Sequence, residues 1–225
     1  MSKILIPIQS AEDWKQFLAE PDKQWKIGYS ARTIAYCWQE ANGLPDEVRS
    51  VLLREPNFEG LETLIAIPEH KVMLNDGARP SQNDLWVLAR TNSSLVSIAV
   101  EGKVSESFGP TMAEWSVNQS KGKLERLQYL CSVLNLAAKP DDDIRYQFLH
   151  RTASAIIEAN RFYAKHAVML VHSFSDSNEG FTDYRRFLSL FNITGELNKV
   201  VFAGHVSGVD LYFTWVCGDK QYRKR

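Results

Sequence analysis

The stretch that most constrains this chain lies between residues 64 and 104. There apolar residues stop recurring every three or four positions and instead run together or alternate. Leu64, Ile65, Ala66 and Ile67 read as a buried strand, and residues 71–74 are placed to pair back against it. Asp76-Gly77 and the loop through Arg79-Pro80 are turn signals. Residues 85–90 are the next strand, Thr91-Asn92-Ser93-Ser94 the turn, and residues 95–104 the strand after that.

The flanking segments carry the helical period. Residues 10–18 form a helix with Ser10 as its cap and Trp14, Phe17 and Leu18 on one face. Residues 30–42 place Ile34, Cys37, Trp38 and Ala41 at helical spacing before Gly43 and Pro45 stop them, and a short helix covers residues 46–53. Residues 124–136 line up Leu127, Leu130, Cys131 and Leu134. Pro140 and the acids Asp141, Asp142 and Asp143 then open a long helix over residues 144–165, since acids favour the positive end of the helix dipole. Residues 167–174 read as a strand, 182–191 as a helix, and 200–203 and 211–216 as strands. The polar, basic tail 220–225 is expected to fray. The fold class is α/β (α+β), a mixed central sheet flanked by helices, in one domain over residues 1–225.

Several function classes are excluded. With 26 basic and 27 acidic residues the net charge is -1, which rules out a uniformly basic nucleic-acid coat while leaving room for a basic cleft. No apolar run approaches the roughly 18 residues of a membrane span, and the segment from Met1 to Pro7 shows no secretory signal. Cys37, Cys131 and Cys217 are odd in number and far apart, so they read as free thiols and point to the cytoplasm. His70, His150, His166, His172 and His205 show no zinc-hydrolase spacing. Lys121-Gly122-Lys123 is too short for a phosphate loop, and Val206-Ser207-Gly208 lacks the first glycine of a nucleophile elbow. The six tryptophans are spread through the chain as core residues.

One constellation carries chemistry. Asp84 precedes one strand, and Glu101-Gly102-Lys103 ends the next, with sixteen residues between Asp84 and Glu101. Val96, Ile98 and Val100 point one way along that strand; Ser97, Ala99, Glu101 and Lys103 point the other. Two carboxylates and the Gly102 carbonyl make a hard-oxygen site suited to Mg²⁺ or Mn²⁺, and Lys103 can orient or deprotonate a water. The bland alternative is a surface Glu–Lys pair and an unrelated loop aspartate.

Asp84, Glu101 and Lys103, set on consecutive strands of a helix–strand–strand–strand–helix–strand order, resemble the PD-(D/E)XK nuclease superfamily, the restriction-endonuclease-like fold. The resemblance covers a core of residues 30–174. An N-terminal helical extension precedes it, a helix at 124–136 is inserted, and a C-terminal strand–helix–strand elaboration follows. It implies that Asp84 and Glu101 bind Mg²⁺ or Mn²⁺, that Lys103 assists the attacking water, and that the partner is nucleic acid, expected to be DNA. A homodimer is left open, and no membrane is implied. Pro80-Ser81-Gln82-Asn83-Asp84 lacks an immediate Pro-Asp pair. Such folds also host catalytically silent members that bind nucleic acid or protein.

Two acids are auxiliary candidates: Glu106 beyond Lys103, for a second metal or solvent, and Glu40 near the end of the second helix. On the long helix, Ile144, Phe148, Thr152, Ala155, Ile156, Ala159 and Tyr163 form the stripe that packs on the sheet. The opposite stripe of Gln147, His150, Arg151, Ser154 and Glu158 is by default solvated. The resemblance instead assigns Gln147, Arg151 and His150 to substrate, with Arg151 removable without harm to the fold.

Overall fold

Six strands form one mixed sheet in a computed structural model of the chain, which describes residues 8–74, 79–118 and 120–225. The turn expected at Asp76-Gly77 and the segment Met1 to Pro7 lie outside the described residues. Helices α1 (Pro21–Gln24), α2 (Ser30–Ala41) and α3 (Asp46–Leu52) lead to β1 (Glu62–Pro68). The short β2 (Lys71–Val72) and β3 (Ser81–Gln82) follow, then β4 (Leu85–Arg90) and β5 (Leu95–Lys103). Helices α4 (Met112–Ser116), α5 (Lys121–Val133) and α6 (Tyr146–Arg161) separate β5 from β6 (His166–Ser173). Helix α7 (Phe181–Ser189), β7 (Val200–Val206) and β8 (Val209–Cys217) complete the sheet. No helix among the described residues is long and apolar enough to cross a membrane.

The strand order is β1-β4-β5-β6-β8-β7. β4 is antiparallel to β1 and β5, whereas β5, β6 and β8 run parallel, and β7 returns antiparallel on β8. Parallel strands need crossovers, and the crossover helices cover the faces. β5 and β6 are accordingly buried along nearly their whole length, the polar Ser97, Glu101, Lys103, His166 and His172 included. One face carries α2, with Ile34, Cys37 and Trp38 against Val96, Ile98 and Val100. The other carries α6, with Phe148, Ala155 and Ile156 packed in one cluster with Ala99, Met169 and Phe213. The alternation read along β5 therefore separates two cores.

Four expectations need correction. Residues 71–74 do not pair with β1; β2 pairs with β3 in a separate ribbon, Val72 opposite Ser81. Glu69, at a left-handed φ of 52°, turns the chain out of the sheet, so β1 is left to the longer apolar β4. The long helix ends at Arg161, because Tyr163 turns left-handed at φ 54°, and Tyr163 is thereby 94% exposed instead of packed. Its polar stripe is not solvated: Arg151, Ser154 and Glu158 are all buried. The tail is held, with Arg223 paired to Asp176 at 2.6 Å and Arg32 Nε donating to the Arg225 carbonyl at 3.0 Å.

Phe148 anchors the second core, fully buried, with its ring centroid 4.2 Å from that of the tilted Phe108 ring and 5.2 Å from that of the stacked Phe187 ring. Truncation removes a large apolar volume that the surrounding rings cannot refill. Phe148→Ala should therefore lower the unfolding free energy by about 3–5 kcal/mol in urea titration, with an unchanged far-ultraviolet spectrum below the transition.

Candidate active site

The register of the first three sheet strands builds the site. Pro68 lies opposite Leu85, and Leu85 opposite Val100. Continued one residue outward, the same pairing sets Glu69 against Asp84 and Asp84 against Glu101. The Glu69 amide indeed donates to the Asp84 carbonyl at 3.0 Å. Three carboxylates thus stand in a row across the ends of three strands. They line a cleft of about 320 Å³ together with Lys103, Gln147 and Arg151.

Glu101 and Lys103 project from one face of β5 toward α6. Lys103 Nζ is 2.7 Å from Glu101 Oε1 and donates to Gln147 Oε1 at 3.3 Å, while Gln147 Nε2 donates to Glu101 Oε1 at 2.7 Å. Arg151 Nε donates to Glu101 Oε2 at 2.5 Å, and its Nη2 lies 3.9 Å from Asp84 Oδ1. Glu101 is 2% exposed, Lys103 5% and Arg151 7%, so the surface-pair alternative does not hold. Gly102 points to the opposite face, where a Cβ would come within 3.1 Å of Ile34. Its amide donates to Asp84 Oδ2 at 2.7 Å. In a strand the amide and carbonyl of one residue face the same side, so the Gly102 carbonyl also faces the Asp84 flank.

Charge is unevenly shared. Burial pushes the Asp84 carboxyl up to about 7, with the Glu101 charge adding to the shift. Burial and then the Asp84 charge push Glu69 up to about 8. Burial also works against Glu101, but Arg151 and Lys103 outweigh it and hold that carboxylate below its ordinary value. Three acids therefore share two cations. The oxygen donors of this set fit a hard divalent ion: a carboxylate has about four lone-pair directions. Glu101 spends three of them on Lys103, Gln147 and Arg151, while Asp84 accepts from Gly102.

The remaining candidates separate. Gln147 lines the cleft, whereas His150 sits against Ser81, Nδ1 to Oγ 2.8 Å, and burial with the Arg151 charge keeps its imidazole well below the ordinary value. Arg151 also donates to Ser81 Oγ at 3.2 Å. Its contacts are protein carboxylates and a hydroxyl, so it positions Glu101, and Arg151→Ala would strand a buried charge at a cost of about 3–5 kcal/mol. That corrects the expectation that it is dispensable to the fold. Glu106 is half-buried and lines the same cleft, where its carboxylate accepts from the Ser30 amide at 2.7 Å, at the start of α2, and from Val104 at 2.9 Å. Glu40 lies elsewhere, 3.4 Å from Arg225. Glu69 was missed: an acid directly after a buried strand is visible in the sequence, but only the strand register sets it against Asp84.

A second cluster joins Cys37, Glu47 and His172, whose ligand atoms lie within 4.8 Å of one another. Trp38 Nε1 donates to His172 Nδ1 at 3.1 Å. An indole only donates, so the imidazole proton sits on Nε2 and points at Glu47 Oε1, 3.1 Å away. That proton closes His172 to a metal, and burial together with the Glu47 charge pushes the Cys37 thiol far up.

The pH dependence follows from the row. Between about pH 4 and pH 7 native Asp84 keeps a proton that the unfolded chain has lost. Its contribution to stability is thus fully present below the unfolded value and is lost as pH rises through the native one. In chelator, urea midpoints should fall from about pH 5 to about pH 8, and Asp84→Asn should be the more stable protein at the upper end by on the order of 2 kcal/mol. A midpoint independent of Asp84 would contradict this assignment.

The family described as a domain of unknown function, DUF6946, matches residues 7–220, and the chain belongs to it. Neither the curated proteins nor the solved structures contain a match.

Proposed function

We propose that this chain, as a member of a family with no assigned activity, is a metal-dependent nuclease that hydrolyses phosphodiester bonds in DNA. The observation that carries the reading is the row Glu69–Asp84–Glu101, three carboxylates sharing Lys103 and Arg151 on the floor of one cleft. Asp84, Glu101 and the Gly102 carbonyl would hold Mg²⁺ or Mn²⁺. Such an ion, when bound, supplies Lewis-acid polarisation of a phosphoryl oxygen and a more acidic water.

The chain's own groups do the rest. Lys103 Nζ, fixed by Glu101 and Gln147 and 4.7 Å from the Phe108 ring centroid, presents an ammonium that orients a water and offsets charge growing on the phosphoryl oxygens. Gln147 and Arg151 hold the Glu101 carboxylate in one rotamer. In the hydrolysis a bond forms from the water oxygen to phosphorus, the bond to the leaving sugar oxygen breaks, and the proton lost by water ends on that oxygen. The cytoplasm is the compartment we assign, where Cys37, Cys131 and Cys217 remain free thiols.

One observation favours a second reading, a catalytically silent protein that binds nucleic acid: Arg151 and Lys103 already engage both Glu101 oxygens. The two readings separate in a cleavage assay on labelled DNA. Mg²⁺ or Mn²⁺ should support cutting that excess chelator abolishes, and Glu101→Gln and Lys103→Ala should each reduce the rate at least about 100-fold, the scale of losing an electrostatic stabiliser. Undiminished cutting in chelator or by Lys103→Ala would overturn the mechanism. Binding without cutting by the intact protein with either metal would favour the silent reading.

A further inference from the structure

The cleft has an asymmetric rim. Beyond its acids it is lined by Lys23 and Gln24 at the end of α1, Ser30 at the start of α2, and Tyr29 from the segment joining the two helices. That segment projects two apolar side chains into solvent, Ile27 at 63% and Tyr29 at 43% exposure. Its backbone is nevertheless fixed. The Tyr29 amide donates to the Lys26 carbonyl at 3.1 Å, and Gly28 supplies the left-handed φ of 83° that the turn requires. On one side Trp25 is buried, with its Nε1 donating to Glu12 at 2.9 Å; on the other the Tyr29 carbonyl accepts from Thr33 at 3.0 Å and starts α2. Lys26 Nζ lies 5.7 Å from the Tyr29 ring centroid. A partly exposed aromatic ring with Lys26 beside it, at the mouth of the acidic cleft, has no partner role in the core.

Resting on the nuclease reading above, we propose that Tyr29, with Ile27 and Lys26, is a stacking lip that selects an unpaired strand, so that the substrate is single-stranded DNA and not duplex. Two arguments decide between the forms. A duplex is held mainly by neutralised phosphates, typically about 6–10 of them. The lysine lining this rim is Lys23, already paired to Glu20 at 2.6 Å, and Lys26 lies beside the Tyr29 ring. A single strand needs fewer cations because its bases stack on aromatic rings, each contact changing affinity by roughly tenfold. The second argument is reach. The carboxylates lie on the buried floor of a cleft of about 320 Å³, the scale of one small-molecule-sized unit. A duplex stays straight over about 150 base pairs and cannot fold one phosphate down into it, whereas a flexible strand can.

The test measures binding of a labelled 12-nucleotide single strand, its blunt duplex and the matching RNA strand, in chelator so that nothing is cut, followed by cleavage with Mg²⁺. The parent should bind the single strand at least about tenfold tighter than the duplex. Tyr29→Ala should lose about tenfold on the single strand and little on the duplex, and Tyr29→Trp should restore the affinity. The Tyr29 contacts that cap α2 are made by its backbone, so both variants should melt like the parent. Equal binding of the RNA strand supports the lip, because stacking reads the base and not the sugar. Tyr29-dependent binding with no cutting keeps the lip and removes the nuclease. Cutting of duplex in preference to single strand, or Tyr29→Ala binding like the parent, overturns the lip and leaves the nuclease. Binding of neither strand overturns the lip.

Discussion

The buried ion pair between Glu101 and Arg151 is the constraint on which the rest of the site depends. Two charges this deep carry a large desolvation cost, and such a pair is tolerated only when each remaining lone pair and proton finds a partner. Here Lys103, Gln147, Ser81 and Asp84 supply those partners. Because Arg151 and Gln147 are one turn apart on α6, satisfying the Glu101 carboxylate also sets the rotation and register of that helix against β5. The same rotation puts Phe148 into the aromatic core on the α7 side. Packing and electrostatics therefore agree on one orientation, and neither can be changed alone.

The acids on the other flank are left deliberately short of cations. Asp84 is raised by burial and then the Glu101 charge, and Glu69 by burial and then the Asp84 charge, which disfavours the charged fold near neutral pH. A chain selected only for stability would replace one of them with an amide. A row of three carboxylates across adjacent strand ends, with two cations beside it, leaves excess negative potential facing the cleft. The contrast with Cys37, Glu47 and His172 is instructive. That second polar cluster is closed by its own hydrogen bonds, from the Trp38 indole through the imidazole to Glu47, and needs nothing further.

Much of the architecture was legible before any coordinates. Strands β4 and β5 fall almost where the apolar runs place them, because a strand buried on both faces is apolar along most of its length. Helix α2 begins at Ser30 and stops ahead of Gly43, as its spacing and punctuation require. Two of the differences share a cause. Residues 71–74 and Tyr163 were misassigned where a residue other than glycine takes a left-handed φ, Glu69 in one case and Tyr163 itself in the other. No one-dimensional pattern marks such a residue. The polar stripe of α6 was taken as solvated by default because the β2–β3 ribbon that covers it, bringing Ser81 to His150 and Arg151, forms from residues with little apolar signal.

By itself, the sequence determined that Asp84, Glu101 and Lys103 end adjacent strands on the charged break of an apolar run, since alternation and turn length are local properties of the backbone. The tertiary structure alone decided that Glu69 completes the row, that Arg151 serves Glu101, that Glu106 joins the cleft, and that Glu40 stands apart. Burial and register across three strands are non-local. They depend on which strand each segment meets after folding, and a carboxylate's charge state follows from that meeting and not from its neighbours in the chain.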